Sequence, residues 1–354
     1  MEKGHFIKAG ILSALLVILF LVFLEYYWRS KGLIISYNDD KVMWADQRRK
    51  VDRLENPGTV FSGGSRIKFD LDVAMWKEET GEDPIQLAIV GTPARLVIFD
   101  LAEDKDFRGN VIIDVAEGQF FYPPNPRREK MAKETLQYFH DQTPAQRASA
   151  QLNFALESKL VLLEESRLGL NGLLEEVRIR NRKGVVSMPT QAFENGMVIT
   201  NAGRQNLITA RFLRDTMAQR LQSDYWMKGG AANMVRNRPP KGDSLLQVFK
   251  LYSAAIEKIR TRGGKVIFVR PPSSGAFLER ERKAFPGPNT GINCLYKLKH
   301  PEFILLIILY LLVCNVRSYR TFHRPTRKFL QGNWYEYLKK NMVGNFRNNL
   351  KPAL

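Results

Sequence analysis

The chain has 354 residues, of which 44% are hydrophobic and 25% charged, and its formal net charge is +18. This length and composition fit one large domain or two small ones, and they exclude a chain that is disordered by composition. Half of the positive excess lies in residues 287–354, and no basic helix with interleaved aromatic residues is present. We therefore expect no nucleic-acid partner.

Cysteine and histidine are scarce, which limits the chemistry that the chain can support. The two cysteines, Cys294 and Cys314, both lie in the last fifth, and the four histidines show no metal-ligand spacing. A disulfide framework and a cysteine-based zinc site are therefore excluded. We expect no metal ion and no organic cofactor.

The N-terminal segment is strongly apolar. Residues 9–24 form an uncharged run, and with their flanks residues 6–28 are long enough to cross a lipid bilayer as a helix. The run ends in Glu25 and three aromatic residues rather than in a small-residue cleavage site, so we predict a retained signal anchor. A short N-terminal tail with nearly all the mass after the span favours a body outside the cytoplasm.

The body alternates between buried strands and helices. The elements that this pattern predicts are strands at 59–62, 85–90, 110–115 and 265–270, and helices at 73–80, 96–106 and 244–260. Strands that alternate with helices favour right-handed crossovers and a parallel sheet. We predict an α/β fold with three layers, α/β/α.

A helical insertion is predicted at about 127–226, between the third and fourth strands. Residues 127–180 are rich in Leu, Glu, Gln and Ala and predict two helices. Residues 188–203 predict a loop, and residues 206–226 predict a further helix.

The predicted organisation has four parts. They are a membrane anchor at 1–31, a connector at 32–58, an α/β domain at 59–286 that includes the insertion, and a basic tail at 287–354. In the connector, the run Arg48-Arg49-Lys50 is predicted to be a solvated group of charges.

The candidate nucleophile is Ser65. The first strand breaks at once into Gly63-Gly64-Ser65, so a serine follows the carboxyl end of a strand, where open α/β sheets bind their ligands. An ordinary Gly-Gly-Ser turn is the alternative. Two further strands end in small-residue loops, at Gly91 and near Glu117, and backbone amides at such ends can form an oxyanion hole.

This order of blocks resembles the SGNH (GDSL-like) hydrolase superfamily from about residue 59 to residue 286, in particular its membrane-anchored envelope members in bacteria. The resemblance rests on Gly63-Gly64-Ser65-Arg66, on LAIVGT at 87–92 and on VIFVRPPSSG at 266–275. It implies a flavodoxin-like domain with Ser65 as nucleophile and the amides of Ser65 and Gly91 as oxyanion donors. It also implies an esterase or acyltransferase that acts on an envelope polysaccharide or lipid ester.

The third block departs from the family pattern. The family has Gly-x-Asn-Asp there, whereas this chain has Val115-Ala116-Glu117-Gly118, and Asn110 lies at the wrong end of the strand to substitute. Glu117 is either a substitute polar group or a surface acid.

The family's closing Asp-x-x-His block, which supplies the catalytic base, is also missing. Neither His300 nor His323 has an acid three residues before it, and His140 lies in the helical insertion, where a surface or core role is expected. The chain as written therefore lacks an identifiable catalytic histidine.

The tail at 287–354 has the character of an out-of-frame translation. It holds both cysteines, half of the excess charge and an apolar run at 303–313 that is too short to span a bilayer. When the codons are regrouped from their third base, the residues from 315 onward permit Glu-x-Ser-His, an acid three residues before a histidine. We predict a frameshift near Pro286 or Gly287 and an inactive product.

A non-enzymatic role is the competing prediction. In it, the same fold acts as an envelope scaffold or binding protein, and the helical residues 127–180 form the surface that a partner contacts.

Overall fold

The computed structural model describes residues 2–52, 58–170, 197–224, 242–271 and 275–284. The chain divides into two compact units. The anchor unit contains the described residues of 1–40, 142–202 and 206–222, and the sheet unit contains the described residues of 41–141, of 203–205 and from 223 onward. The predicted tail, with Cys294, Cys314, His300 and His323, lies outside the described residues.

Strands in the described residues are short, between two and five residues each. In chain order they are β1 Thr59–Ser62, β2 Ile85–Gln86, β3 Asn110–Asp114, β4 Val198–Thr200, β5 Asn206–Ile208 and β6 Val266–Val269.

The helices flank and connect these strands. In chain order they are α1 Glu2–Ser30, α2 Lys41–Val51, α3 Ser65–Asp70, α4 Val73–Thr80, α5 Arg95–Glu103, α6 Glu117–Phe120, α7 Pro126–Asp141, α8 Pro144–Glu157, α9 Glu165–Leu168, α10 Ala210–Arg214, α11 216–224, α12 Asp243–Thr261 and α13 Gly275–Ala284. A single turn of 3-10 helix, Val161–Leu163, lies between α8 and α9.

Helix α1 is long and apolar enough to cross a membrane. Its residues His5–Ser30 reach a mean hydropathy of 2.7, and their most apolar stretch has no buried residues. In the described part of the chain it is the one helix with this property. The prediction of an N-terminal apolar helix is confirmed.

A four-stranded parallel sheet forms the centre of the sheet unit. Its strand order is β2-β1-β3-β6, and every neighbouring pair runs parallel, with Thr59 opposite Asn110 and Val111 opposite Val266. Beyond β2 the pairing continues, because Leu87 N and Ile89 N donate to the carbonyls of Phe61 and Gly63 at 2.8 and 3.0 Å. The predicted α/β fold with a parallel sheet is confirmed.

Alternate residues of the sheet belong to two separate hydrophobic clusters. Val60 and Val111 contribute to a cluster that also contains residues of α2, α5 and α12. Phe61 and Ile112 contribute to a second cluster with Trp76 of α4. Every residue of β1 and β3 is buried, which explains why these strands read as continuous apolar runs rather than as alternating ones.

Local signals in the sequence predicted several helices well. Helix α4 runs from Val73 to Thr80 as predicted, with the Asp72 carboxylate accepting hydrogen bonds from two amides of its first turn and Gly81 ending it in the left-handed conformation at φ 77°. Helix α12 is confirmed, and α7 and α8 are the two helices expected at the start of the insertion.

The predictions for 188–203 and 206–226 are wrong in part. Residues 198–200 and 206–208 form the antiparallel pair β4 and β5 instead of a loop and the start of a helix. The Thr200 hydroxyl donates to Asn206 Oδ1 at 3.1 Å, and the Thr209 side chain then caps α10 by accepting from Phe212 N. Pairing between strands outweighs the weak local preference for a helix here.

The prediction of a solvated charge run is wrong for Arg48. Helix α2 packs on the core, and Arg48 is only 2% exposed. Its guanidinium contacts the carboxylates of Asp52, Asp100 and Asp104 at 2.7 to 2.8 Å. Burial opposes the charged form, but the three carboxylates, Asp100 most strongly, outweigh it and raise the pKa of Arg48 above its ordinary value. Lys50, by contrast, has a half-exposed side chain.

Replacing Arg48 should strongly destabilise the protein. Arg48→Ala leaves the buried Asp100 carboxylate without its main cation, so we expect a loss of about 3–5 kcal/mol in the free energy of unfolding. The matched control Lys50→Ala removes an exposed ion pair with Asp46 and should cost less than about 1 kcal/mol. Urea unfolding of the full chain in detergent micelles measures the change in both variants. Equal losses of stability would contradict the role of Arg48 as the main cation beside the buried Asp100.

Candidate functional site

Ser65 is the first residue of α3, directly after the carboxyl end of β1. Gly64 occupies the N-cap position in an extended conformation, and Ser65 is partly exposed. The fold therefore places Ser65 at the edge of the parallel sheet where the strands end, as its position after a buried strand predicted.

A side chain at Gly63 or Gly64 would clash, because neighbouring loops fill the space beside these residues. A Cβ atom at Gly63 would lie 2.2 Å from the Cβ of Asp114, which ends β3. At Gly64 it would lie 2.5 Å from Gln119 Oε1 and 3.4 Å from the carbonyl oxygen of Thr92. The loops after β1, β2 and β3 therefore meet at the turn that carries Ser65.

Gly91, the predicted second oxyanion donor, lies in the loop after β2. It adopts a left-handed conformation with φ 75°, which favours glycine, and the space where a side chain would project is open. The next residue, Thr92, is buried, its hydroxyl donates to the Ile89 carbonyl at 3.0 Å, and its own carbonyl contacts the Gly64 position. The loop of Gly91 and the turn of Ser65 are thus neighbours.

Glu117, the first residue of α6, is buried, so the alternative of a surface acid is wrong. Its carboxylate forms a short ion pair with Arg270, which follows β6. Burial raises the pKa of Glu117, and the negative charge of Glu281 adds to the rise, whereas Arg270 opposes it. An ion-paired carboxylate accepts hydrogen bonds and does not supply one.

A network of buried ion pairs surrounds this edge of the sheet. Glu281 of α13 accepts from Arg66 through one carboxylate oxygen and from Arg270 Nη2 through the other, the latter at 3.1 Å. Burial opposes the charge on Arg66, but Glu281 outweighs it and raises the pKa of Arg66. The network connects the residue after Ser65 to α13, a contact that joins positions 215 residues apart.

Asp114 is a buried carboxylate directly behind the Ser65 turn. Its Oδ2 accepts a hydrogen bond from Gly64 N at 3.2 Å, and among the described residues its Oδ1 has no hydrogen-bond partner. Burial raises the pKa of Asp114 to about 6, and the charge of Glu117 adds to the rise, whereas Arg66 and the Gly64 N–H oppose it. An appreciable fraction of this carboxyl group is therefore protonated at pH 6.

Gln119 is a further candidate site residue, which the sequence did not indicate. Its side-chain oxygen, Oε1, lies beside Gly64, and the residue belongs to the short helix α6 that follows β3. An amide NH₂ can donate to a developing oxyanion, which makes Gln119 chemically suited to the role for which Glu117 was considered. The available signal was the position of a glutamine two residues after Glu117, within the same short helix.

The described histidines do not accompany Ser65. His140 Nε2 lies 2.7 Å from Asp100 Oδ1, and both residues line a cavity of about 1020 Å³ with Gly58 and Gly109. Those glycines precede β1 and β3, so this cavity lies at the amino end of the strands, opposite to Ser65. The remaining described histidine, His5, belongs to α1.

No group of three or more His, Cys, Asp or Glu side chains in the described residues is arranged to hold a metal ion. Comparison with protein-family models, with curated proteins and with solved structures finds no match to this chain.

The two glycines before Ser65 should respond differently to an added methyl group. Gly63→Ala should lower the free energy of unfolding by about 3 kcal/mol, because the added group meets Asp114 Cβ, which is fixed to the backbone. Gly64→Ala should cost less than about 1 kcal/mol, since the end of the Gln119 side chain can move away. Chemical unfolding of both variants checks this, and the reverse order of costs would contradict the packing of the turn.

Asp114 should make the protein less stable as the pH rises. Its raised pKa means that the folded state binds the proton more tightly than the unfolded state, so its favourable contribution is complete below about pH 4 and lost as the pH passes about 6. Relative to Asp114→Asn, the wild-type free energy of unfolding should fall by about 2–3 kcal/mol between pH 4 and pH 7. Unfolding curves of the two proteins that stay parallel over this range would contradict the buried carboxyl.

Proposed function

We propose that this chain is a single-pass, membrane-anchored protein with an SGNH-type domain, derived from a serine esterase or acyltransferase of the bacterial envelope. The observation that carries the proposal is the meeting of three strand-end loops at Ser65, through Gly63, Gly64 and the residues they contact. In the proposal the sheet and its helices form three layers, α/β/α. The length and hydropathy of α1 support a membrane anchor. In the proposal this membrane is the bacterial cytoplasmic membrane, and the main domain lies on its periplasmic side.

The proposed chemistry is acyl transfer through a covalent serine intermediate. Ser65 Oγ bonds to the ester carbonyl carbon, the ester C–O bond breaks, and the alcohol leaves with a proton; water or a second alcohol then takes the acyl group. The amides of Ser65 and Gly91 hold the oxyanion, and Gln119 fits the third position better than Glu117 because it can donate. The substrate would be an envelope polysaccharide or lipid ester within reach of the anchor.

The base for this chemistry is the part that the described residues do not supply. No histidine of the described residues lies beside Ser65, and the tail that would carry a closing acid and histidine reads as out of frame after Pro286. The pairing of Glu117 with Arg270 also leaves that carboxylate poorly suited to take the serine proton. We therefore infer that an intact relative is catalytic and that this product is not.

Measuring ester hydrolysis tests whether this product is inactive. The chain as written should hydrolyse p-nitrophenyl acetate no faster than its Ser65→Ala variant, because loss of the base typically costs on the order of a millionfold in turnover. Hydrolysis that Ser65→Ala abolishes would overturn the inference of inactivity.

Two further measurements test the proposed origin. Sequencing the gene across Pro286 should reveal an alternative frame without stop codons that restores the closing block, and stop codons in that frame would rule the frameshift out. A protein corrected to that frame should be labelled by a fluorophosphonate probe at Ser65.

A non-catalytic scaffold is the second candidate. It is favoured by the charges at the site, because Arg66 and Arg270 are both engaged by Glu281. Absence of fluorophosphonate labelling in the frame-corrected protein would favour the scaffold over the enzyme.

A further inference from the structure

Helix α8 presents an apolar stripe to its surroundings. Ala145, Ala148, Leu152 and Leu156 follow one another at intervals of three and four residues, which places them on one face of the helix. All four are exposed; Leu152 has 65% and Leu156 44% of its surface accessible. We call these four residues the α8 stripe. Together, its two leucines form an exposed apolar surface on one side of the helix.

The carboxyl end of α8 is fastened to the last turns of α1. Arg29 Nη2 donates to the Lys159 carbonyl at 2.7 Å, and the Glu25 carboxylate accepts from Val161 N and Leu162 N at 3.0 and 3.1 Å. Lys159 N in turn donates to the Leu156 carbonyl at 2.9 Å. Leu156 therefore lies about one helical turn from the residue that Arg29 holds.

This contact lies at the level where α1 leaves the apolar region. The uncharged run of α1 ends at Leu24, so Glu25 and Arg29 fall in the first turns beyond it. Tyr26 and Tyr27, both exposed, belong to the same turns, and tyrosine is enriched where a helix crosses from hydrocarbon into headgroups. The headgroup region is about 5–8 Å thick in each leaflet and one helical turn rises about 5.4 Å. Leu156 is thus within reach of that region.

The charges of α8 permit contact with anionic lipids. Its only charged residues are Arg147 and Glu157, and Glu157 is buried. No exposed carboxylate on this helix would be repelled by phosphate headgroups, and its one exposed charge, Arg147, is a cation of the kind that segments in a membrane interface carry.

We propose that the α8 stripe lies on the surface of the bilayer that α1 crosses, with Leu152 and Leu156 in the headgroup region. The proposal rests on the role of α1 as an anchor, and it adds a second attachment that holds the anchor unit in one orientation on the membrane. It does not depend on any catalytic role of Ser65.

Fluorescence quenching of the full chain tests the contact. Cys294 and Cys314 are replaced by serine, and a single cysteine that carries an environment-sensitive NBD label is placed at Leu152. The control is Arg147→Cys, an exposed position about 140° around the same helix. A third variant, Val17→Cys, reports on the middle of α1. Each protein is reconstituted in vesicles of phosphatidylcholine and phosphatidylglycerol at a ratio of about 3:1, so that the vesicle surface is anionic.

The proposal expects lipid-attached nitroxides to quench the label at 152 and aqueous iodide to quench it at least about threefold less than the label at 147. Because Leu152 is exposed, the label replaces no core contact. Equal iodide quenching at 152 and 147 would place the stripe in water and overturn the proposal. Protection of 152 from both quenchers would also overturn it, because another protein segment or a second copy would then cover the stripe.

The label at position 17 distinguishes loss of the α8 contact from loss of the membrane anchor itself. Quenching at 17 by nitroxides at the bilayer centre, without lipid quenching at 152, removes the α8 contact and leaves the anchor intact. No lipid quenching at 17 would overturn the anchor itself, and with it the contact that rests on it.

Discussion

The close approach of β1 and β3 at their carboxyl ends is the constraint on which the site depends. Two central strands that are buried on both faces bring Gly63 so near to Asp114 that no side chain fits between them. The same approach allows the Asp114 carboxylate to accept from Gly64 N and turns the chain into α3 with Ser65 at its start. Ser65 is therefore positioned by packing of the sheet, and the glycines serve that packing more than they serve an unusual backbone conformation.

Buried charge is the second theme of the structure, and it is handled differently at the two edges of the sheet. At the amino edge, Arg48 satisfies three carboxylates and secures α2 to α5. At the carboxyl edge, Glu281 pairs with Arg66 and Arg270, and Glu117 pairs with Arg270, whereas Asp114 lies outside these pairs. Asp114 is buried, close to another acid and only partly hydrogen-bonded, so its neutral, protonated form is favoured and its pKa is raised. The pKa of Arg48 is also raised, but there the cause is its carboxylate partners, which favour the charged form.

Sequence reasoning succeeded where the signal is local. The strand before Ser65, the glycine stop of α4 and the apolar face of α12 each depend on residues within one turn or one strand. It failed where the partner is distant in the sequence. The triplet Arg48-Arg49-Lys50 reads as solvated because its main partner, Asp100, lies in α5. No local motif indicates that Glu281 pairs with Arg66 and Arg270. The strands β4 and β5 were missed for a different reason, because pairing between them outweighs a weak local preference for a helix. Ser65, Gly91 and the loop of Glu117 could be brought together from sequence because parallel strands end at one edge, whereas the contact of Gln119 with Gly64 depends on how a side chain packs.

The hydrogen bonds from Val161 N and Leu162 N to the Glu25 carboxylate connect the end of α1 rigidly to the segment that follows α8. A flexible linker would let the residues that follow α8 move independently of α1. A carboxylate that holds two backbone amides transmits rotation instead, so a change in the tilt of α1 turns the chain around residues 159–162 with it. Helices adjust their tilt when the thickness of the hydrocarbon layer changes. For the proposed anchor, a change in bilayer thickness would therefore reorient residues 159–162 together with α1.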